Sequence, residues 1–250
     1  MMLGKKSKNK SMNYKKKVFI LGASSDIGIE IMKIYLKNNF EILAHYNLGN
    51  KNFFNFINKK KKIKLIKFNF LTSTNKIEKF LNKKIFKNFS IFVNASGFLK
   101  EIDYKSLRLK NIEDALKVNL YPAILLTKIM GLEMNRKKWG RIVHLGSIGV
   151  KYGGGKKNFP YSFSKHALEF FPSFTKEWSK NNVLINTIRV GATNTKLHKK
   201  LPSKNLKERS KLIPIGRMAS PYEIAEFVYF LGSEKNTYIC NKVPAITGGE

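Results

Sequence analysis

The chain has 250 residues, 43% of them hydrophobic, which is enough for one large α/β domain or two small ones with a buried core. Its single cysteine, Cys240, excludes an internal disulfide and a metal site built from several thiolates, and no run approaches the roughly 18 apolar residues of a membrane span. The lysine-rich start lacks the apolar stretch and cleavage site of a secretory signal, so we expect a soluble cytoplasmic protein.

The formal net charge of +32 would suit a protein that binds nucleic acid or another polyanion. Only six of the 48 basic residues are arginines, however, and it is the guanidinium fork that recognises bases and phosphates through paired hydrogen bonds. The lysines are spread over nearly every segment, as a bias towards AT-rich codons would produce. We therefore expect no specific nucleic-acid site. A polyanion-binding protein on a dinucleotide fold stays as the alternative, which clustering of the lysines on one face would favour.

The chain divides into a basic tail and a long segment of alternating predicted elements. Residues 1–16 combine low hydrophobicity with like charge and are predicted to be disordered. Strands are predicted at 17–23, 41–46, 63–69, 90–94, 141–146, 183–189 and 242–247, and helices at 27–38, 51–58, 75–86, 111–135, 160–181 and 221–232.

This alternation predicts the fold class. Runs such as "SIFVNA" and "RIVHLG" are apolar on both faces, which is typical of parallel strands covered by helices on both sides. With right-handed crossovers, we expect residues 17–250 to form a single Rossmann-type, doubly wound parallel sheet of about seven strands. The long irregular segment 191–220 is predicted to be a mobile lid over the substrate.

A glycine turn follows the first predicted strand. The stretch "VFILGASSDIGIEI" places Gly22 after the strand and Gly28 at the start of a helix. Glycines let backbone N–H groups approach a pyrophosphate, and the helix N-terminus adds unpaired donors. Ser24 and Ser25 can add hydroxyl donors. The three-glycine fingerprint G-x-G-x-x-G is absent, so a generic strand-to-helix turn is also compatible with this stretch.

Tyr161 and Lys165 begin the helix predicted at 160–181. Their spacing of four residues puts both side chains on one face, one turn apart. The pair alone is compatible with a buried ring beside a solvated charge, and the surrounding motifs decide between that interpretation and a catalytic one.

Those motifs resemble the short-chain dehydrogenase/reductase family over roughly residues 17–249. "LGASSDIG" resembles its T-G-x-x-x-G-I-G turn, and "VNASG" its N-N-A-G element. "KVNLYPAILLTK" carries Asn119 at the family's helix asparagine, "GRIVHLGSIG" carries Ser147 at its serine, and "YSFSK" supplies Y-x-x-x-K. "RVGATNT" resembles the P-G-x-x-x-T segment, and "IPIGRMASPYEIAEFVYFLGS" the entry to the C-terminal helix.

The resemblance implies an NAD(P)(H)-dependent oxidoreductase that interconverts a secondary alcohol and a ketone, without a metal. Tyr161 would be the general acid and base, and Lys165 would lower its pKa and hydrogen-bond the nicotinamide ribose. Ser147 would hold the substrate oxygen. Asn119 would lie in a kinked helix and anchor a water that relays protons to Lys165.

The resemblance also implies which residues bind the cofactor. They are Gly22, Ser24, Ser25, Ile27, Gly28, Tyr46, Asn47, Asn69, Phe70, Asn94, Ala95, Ser96, Gly97, Tyr161, Lys165, Gly191, Thr193 and Thr195. The second strand ends "AHYNLGNK", without the acidic residue that an NAD site sets against the ribose 2′-hydroxyl. With Asn47 and Lys51 nearby, this favours NADP(H), and NAD(H) remains possible.

Four positions depart from the family pattern: Leu21, Asp26, Ala95 and Val190. Asp26 places a carboxylate close to the expected phosphates, although an aspartate at a helix start can instead accept from backbone N–H groups. We expect these changes to lower cofactor affinity rather than to alter the chemistry.

The substrate is predicted only by class. The chain resembles two kinds of reductase equally well. One is a 3-oxoacyl-[acyl-carrier-protein] reductase, whose acidic carrier would suit a basic surface. The other is a reductase of surface-sugar or flagellin-glycan pathways. Residues after Gly97, residues 148–158 and the segment 191–220 would line the pocket, and lysines there with Phe98, Tyr152, Phe159 and Leu197 hint at an anionic substrate. A noncatalytic NADP sensor is a third possibility. The resemblance further implies a homodimer or homotetramer packed through the helices that contain Asn119 and Tyr161.

Overall fold

A computed structural model describes residues 15–171, 175–199 and 206–250. Its centre is a seven-stranded sheet in which every neighbouring pair is parallel, with the order β3-β2-β1-β4-β5-β6-β7. The strands are β1 Lys17–Leu21, β2 Glu41–Tyr46, β3 Ile63–Lys67, β4 Ile91–Asn94, β5 Gly140–Leu145, β6 Val183–Val190 and β7 Ala245–Ile246. The predicted doubly wound parallel sheet is confirmed. The strand order reverses between β1 and β4, where open α/β sheets bind ligands at the carboxyl ends of their strands.

Helices cover both faces of this sheet. The α-helices given by the described part of the chain are α1 Asp26–Lys37, α2 Lys51–Ile57, α3 Thr74–Leu81, α4 Leu109–Asn119, α5 Tyr121–Lys137, α6 Phe159–Ala167, α7 Lys196–Lys199, α8 Leu206–Lys211 and α9 Pro221–Leu231. In β1, Val18 and Ile20 pack in one core with α1 and α9, whereas Phe19 and Leu21 pack in the other with α3 and α5. Both faces of the strand are therefore buried, which explains its continuous apolar sequence.

Four strands are shorter than predicted, β4 by only its first residue. β1 ends at Leu21 because Gly22 has φ +78°, which no longer continues an extended strand. β3 ends at Lys67 rather than at residue 69. The segment predicted at 242–247 forms only Ala245–Ile246 and a bridge from Lys242 to Asn186. Pro244, between them, has no N–H to donate to the ladder.

The helix predicted at 111–135 is two helices. α4 ends at Asn119 and α5 begins at Tyr121, with Leu120 at φ −116° and ψ −52° between them. Pro122 cannot donate to the carbonyl of Val118, and its ring would clash with that carbonyl in a continuous helix. The break places Asn119 at the carboxyl end of α4.

α4 and α5 together, Leu109–Arg136, are long and apolar enough to cross a membrane by length and composition alone. Their apolar side chains have another explanation, because Leu126 and Met130 are buried in the core against the sheet. The two helices are core helices of the α/β fold.

The helix predicted at 160–181 is also shorter. α6 ends at Ala167, and 3₁₀ turns follow at Leu168–Phe170 and Lys176–Asn181. Residues 172–174 lie outside the described residues, and Pro172 has no N–H for a continuous helix. The helix predicted at 75–86 likewise ends at Leu81.

The predicted tail and lid are only partly described. Of the tail 1–16, residues 1–14 lie outside the described residues, as do residues 200–205 of the lid 191–220. The described parts of the lid form α7, α8 and a bridge between Thr193 and Ala219. The domain boundaries and the mobility of the lid stay predictions.

Within residues 15–171, 175–199 and 206–250, exposed lysines lie on both sides of the sheet. Lys33 and Lys37 are exposed on α1, on one side of the sheet, whereas Lys76, Lys79 and Lys128 are exposed on α3 and α5, on the other side. This scatter favours a compositional origin of the charge over a polyanion-binding surface.

Candidate active site

A cleft of about 940 Å³ lies at the carboxyl edge of the sheet. This volume is in the range of pockets that hold small molecules and cofactors. The predicted cofactor residues that line it are Gly22, Ser24, Ser25, Ile27, Asn47, Asn69, Phe70, Ala95, Ser96, Gly97, Tyr161, Lys165, Gly191, Thr193 and Thr195. Ser147 lines it as well, so three of the four predicted catalytic residues share one cavity with most of the predicted cofactor residues, whereas Asn119 is fully buried and does not line it.

The glycine turn is packed too tightly for side chains. Gly22 has φ +78°, and a Cβ there would lie 2.7 Å from the carbonyl oxygen of Ala95. A Cβ on Gly28 would lie 2.6 Å from the oxygen of Gly22. The Ser25 hydroxyl accepts from the N–H of Gly28 at 3.0 Å and donates to the oxygen of Gly22 at 2.9 Å. Its hydrogen is therefore committed within the turn, contrary to the expectation that it would be donated to a ligand.

Three predicted cofactor residues do not line the cleft. Gly28 is buried beneath the turn, and Tyr46 packs against Phe53 and Phe54. Asn94 is fully buried. These residues shape the walls of the cleft, and the expectation of direct cofactor contact is not supported for them.

Asn94 organises the loop after β4. Its Oδ1 accepts from the N–H of Ser96 at 3.2 Å and from the Ser96 hydroxyl at 2.6 Å. Its Nδ2 donates to Nδ1 of His144 at 3.4 Å, and the other ring nitrogen of His144 faces Thr127 Oγ1 at 3.2 Å. Burial lowers the pKa of His144 to about 3, so this buried chain of hydrogen bonds stays neutral at physiological pH.

His45 is a site residue that sequence reasoning missed. Its Nδ1 accepts from the N–H of Gly22 at 3.3 Å, and its Nε2 donates to the carbonyl of Phe68 at 3.0 Å. Burial lowers its pKa to about 4, which keeps the ring neutral with the proton on Nε2. His45 lines the cleft and fixes the glycine turn. A single histidine on an apolar strand gave no signal of this role.

Lys165 is held by the ends of two strands. Its Nζ donates to the carbonyls of Ser96 and Leu145, both at 2.7 Å, and the residue is 2% exposed. Burial lowers the pKa of this ammonium from 10.5 to about 7. Nζ lies 5.9 Å from the centroid of the Tyr161 ring. The predicted pair is therefore close in space.

Tyr161 is half-buried and lines the cleft together with Ser147. Burial of its phenol raises the pKa, and the neighbouring Ser147 hydroxyl only partly offsets this. The net direction is opposite to the lowering that proton transfer near neutral pH requires. Ser147 Oγ also accepts from the N–H of Gly149 at 3.1 Å, which fixes the hydroxyl at the end of β5.

Asn119 joins two parts of the site. Its Oδ1 accepts from the N–H of Phe98 at 2.7 Å, and its Nδ2 donates to the Phe98 carbonyl at 3.0 Å and to Ser164 Oγ at 2.8 Å. Ser164 in turn donates to the carbonyl of Tyr161 at 2.8 Å. The side chain thus ties the loop after β4 to α6, and the water relay to Lys165 stays a prediction.

Two further contacts connect the lid segment 191–220 with the cleft and its surroundings. Asp26 Oδ2 accepts from the backbone N–H of Lys196 at 2.6 Å, so the departure at position 26 binds the lid. Arg209 of α8 lines the cleft and pairs with the side chain of Glu250, which the sequence gave no reason to expect.

A glycine turn under a cavity at the switch point is the arrangement by which α/β enzymes bind dinucleotides, and a phenol beside a buried lysine adds proton transfer. The fold and the site together therefore define the protein class of nicotinamide-dependent oxidoreductases. A family model described as "Enoyl-(Acyl carrier protein) reductase" matches residues 22–249. The chain belongs to the short-chain dehydrogenase/reductase family and is an NAD(P)-dependent oxidoreductase.

Individual relatives agree with this assignment. A 3-oxoacyl-[acyl-carrier-protein] reductase, FabG, of Aquifex aeolicus is 34% identical over 160 residues, which is 64% of each chain. The FabG of Buchnera aphidicola subsp. Acyrthosiphon pisum is 28% identical over 244 residues, covering 92% of this chain and 95% of that protein. The solved structure "ElxO with NADP Bound" has the same fold, with a TM-score of 0.79 at 21% identity, covering 94% of this chain and 98% of that one.

Proposed function

We propose that this oxidoreductase interconverts a ketone and a secondary alcohol with Tyr161 as the general acid and base. The observation that carries the proposal is that Ser147, Tyr161 and Lys165 line one cleft, with the Nζ of the buried Lys165 5.9 Å from the centroid of the Tyr161 ring. The close-packed glycine turn and the cleft volume fit a dinucleotide. A bound nicotinamide supplies or accepts the hydride.

Each catalytic residue has a separate task in this mechanism. Ser147 hydrogen-bonds the ketone oxygen and stabilises its developing charge. Tyr161 transfers its hydroxyl proton to that oxygen, and Lys165 stabilises the phenolate that remains. The carbonyls of Ser96 and Leu145 fix the ammonium in place.

The ionisation of Tyr161 and that of Lys165 are coupled. Bringing a phenol from about 10 to about 7 requires about 4 kcal/mol of differential stabilisation. Burial opposes this for Tyr161 and also disfavours the charged form of Lys165. Each charged partner favours the other, so phenolate and ammonium form as a coupled pair.

The test is the Tyr161→Phe variant, which keeps the ring and removes only the hydroxyl. Turnover of a panel of carbonyl compounds, followed by nicotinamide absorbance, should fall by at least about a thousandfold, within the range of general acid catalysis. Cofactor binding, measured by fluorescence titration, should survive. Activity close to that of the wild type would refute the assignment of Tyr161.

We propose NADP(H) as the preferred cofactor. The described residues that line the cleft after β2 are neutral, namely Asn47, Leu48, Gly49 and Asn50, so no carboxylate there repels a 2′-phosphate. The ElxO structure of the same fold holds NADP. KM values for both cofactors test this, and a tenfold or greater preference for NAD would contradict it.

We propose two substrate classes from the names of the relatives. The Aquifex aeolicus and Buchnera aphidicola proteins are named 3-oxoacyl-[acyl-carrier-protein] reductase, which supports a carrier-linked 3-oxoacyl substrate. A Bacillus subtilis relative, 29% identical over 175 residues, is named 2-dehydro-3-deoxy-D-gluconate 5-dehydrogenase, which supports a hydroxylated sugar acid. Assays with an acetoacetyl thioester and with keto-sugar acids separate the two. Either substrate fits a cytoplasmic enzyme.

We propose that the chain forms homo-oligomers through α5 and α6. Ile124 and Leu132 of α5 are 42% and 53% exposed, and Phe163 of α6 is 49% exposed and stacked on Phe159. Large apolar side chains this exposed on two helices support an interface there. Sedimentation at micromolar concentration should show a dimer or tetramer, and a monomer would contradict the proposal.

A further inference from the structure

His144 is a polar residue among aromatic side chains of the core. Its ring is fully buried, stacked on Phe171 with 4.9 Å between the centroids and in edge contact with Phe92. Both ring nitrogens nevertheless have polar partners, Asn94 Nδ2 at 3.4 Å and Thr127 Oγ1 at 3.2 Å. Because a buried polar ring costs free energy unless its hydrogen bonds are made, an imidazole at this place calls for a reason beyond packing.

A main-chain donor determines the direction of the hydrogen bonds around this ring. The N–H of Ser96 can only donate, so the atom of Asn94 that faces it at 3.2 Å is Oδ1. The other end of the amide, Nδ2, then donates to Nδ1 of His144, and the ring proton is on Nε2, where the hydroxyl of Thr127 accepts it. In the opposite tautomer two N–H groups would face each other, so the amide and the ring hold each other in one orientation.

The surroundings of His144 keep the ring neutral. Burial first, and then the positive charge of Lys165, lower the pKa of His144 to about 3. In the part of the chain that the structure describes, Lys165 is the charged group that shifts this pKa. Nδ1 therefore stays an acceptor at neutral pH, and the amide of Asn94 cannot turn over without losing this partner.

The chain of hydrogen bonds ends on the ammonium of Lys165. Oδ1 of Asn94 accepts from both the N–H and the hydroxyl of Ser96, at 3.2 and 2.6 Å. The carbonyl of Ser96 accepts from Nζ of Lys165 at 2.7 Å. A Cβ on Gly97 would meet nothing within 4 Å, so packing does not fix the peptide bond that carries this carbonyl. The hydrogen bonds with Asn94 supply the restraint on Ser96 that packing does not.

We propose that His144 is a positioning residue that keeps the Lys165 ammonium in place for proton transfer. The imidazole is fully buried, so it touches neither substrate nor cofactor. Its neutral ring holds the amide of Asn94, and the amide holds Ser96. The Ser96 carbonyl then stabilises the ammonium, on which the Tyr161 phenolate depends. The inference rests on the proposed roles of Tyr161 and Lys165.

The pH dependence of alcohol oxidation tests the inference, because this direction requires the phenolate. We would measure kcat/KM for ethyl 3-hydroxybutanoate at saturating NADP⁺ between about pH 6 and about pH 10, a range that brackets the ionisation of the pair. His144→Leu removes both hydrogen bonds of the ring. His144→Asn keeps an acceptor near the position of Nδ1 for Asn94 but cannot reach Thr127. The control is Met130→Ala, one turn after Thr127 on α5, which removes buried apolar contacts and none of these hydrogen bonds.

We expect the acid limb of the oxidation profile to move to higher pH by about one unit in His144→Leu. This is the roughly tenfold change in phenol ionisation that loss of one hydrogen bond to a charged group produces. His144→Asn should restore most of the wild-type profile. Met130→Ala should melt at a lower temperature, as a core truncation does, with its profile unshifted. Thr127→Val keeps the shape of the side chain and should shift the limb in the same direction as His144→Leu, so it carries the test if the leucine variant does not fold.

Several results would overturn the inference and leave the proposed function standing. One is an unshifted profile in His144→Leu or, where that variant does not fold, in Thr127→Val. Another is a shift in Met130→Ala as large as in His144→Leu, which would make lost stability the cause. Failure of His144→Asn to restore the profile would refute the route through Asn94. If the wild type oxidises neither ethyl 3-hydroxybutanoate nor any other secondary alcohol, both the inference and the proposed function fail.

Discussion

The carboxylate of Asp26 and the backbone N–H of Lys196 are joined by a 2.6 Å hydrogen bond, although they stand 170 positions apart. Asp26 opens α1 directly after the glycine turn, and Lys196 opens α7 in the lid. The bond closes the lid against the place where we expect the cofactor phosphates, and it puts a negative charge there.

Replacing this carboxylate should have two opposite effects. In Asp26→Asn, loss of the negative charge should tighten NADP(H) binding by about threefold to tenfold at low salt, since a repulsion with phosphate is removed. The weaker neutral hydrogen bond should free the lid, so trypsin should cleave after Lys196 faster. Fluorescence titration and limited proteolysis measure the two effects. Glu30→Gln removes the same charge one turn further along α1 and should change neither. Weaker cofactor binding in Asp26→Asn would contradict the repulsion.

The buried ammonium of Lys165 should make stability depend on pH. Its pKa is about 7 in the folded protein and 10.5 when unfolded, so between these values the unfolded chain binds more protons. The free energy of unfolding of the cofactor-free protein should therefore rise with pH in this window, by up to about 1.4 kcal/mol per pH unit, and Lys165 should contribute no slope below pH 7.

Lys165→Met isolates this contribution. Urea unfolding followed by circular dichroism between about pH 6.5 and pH 9.5 should show a smaller slope in the variant than in the wild type. Lys128→Met, on the exposed side of α5, removes the same charge without its burial and should keep the wild-type slope. Equal slopes in wild type and Lys165→Met would show that the lysine is not held as described.

Asn119 should contribute to stability through the loop that it binds. Asn119→Ala leaves the N–H and carbonyl of Phe98 without the amide that pairs them, which should cost about 2–4 kcal/mol. Ser164→Ala removes only one link of the same chain, between Asn119 and Tyr161, and should cost about 1 kcal/mol. Denaturant midpoints give both losses in the free energy of unfolding. A larger loss in Ser164→Ala than in Asn119→Ala would contradict the role of Asn119 in holding the loop at Phe98.

Gly22 should not tolerate a methyl group. Gly22→Ala forces a side chain into a left-handed conformation and 2.7 Å from the oxygen of Ala95, where the backbone cannot give way. We expect a loss of about 2–4 kcal/mol. A Cβ on Gly97 would meet nothing within 4 Å, so Gly97→Ala should keep the wild-type melting temperature. Calorimetry of both variants tests whether the backbone conformation at position 22 requires glycine.

The sheet could be predicted because its signals are local. Apolar runs on both faces of the strands require helices on both sides, and the structure has them. Helix ends were less predictable, since they depend on prolines whose effect competes with a continuing apolar pattern. Pro122 divided one predicted helix, and Gly22 ended one predicted strand early.

Only those site residues that belong to recognisable sequence motifs could be predicted. Ser147, Tyr161 and Lys165 come together as expected, because fixed spacings and strand ends determine their places. His45 and the pairing of Arg209 with Glu250 were missed, because each depends on a partner distant in sequence. The direction of the pKa shift of Tyr161 also depends on burial, which the motif does not encode.

In the part of the chain that the structure describes, the oxygens that hold the Lys165 ammonium are main-chain carbonyls, those of Ser96 and Leu145. Every amino acid brings such an oxygen, so mutation at 96 or 145 can change the side chain without removing the acceptor. In a sequence so enriched in lysine, asparagine and isoleucine, substitutions at positions 96 and 145 can therefore follow the composition without displacing the Lys165 ammonium.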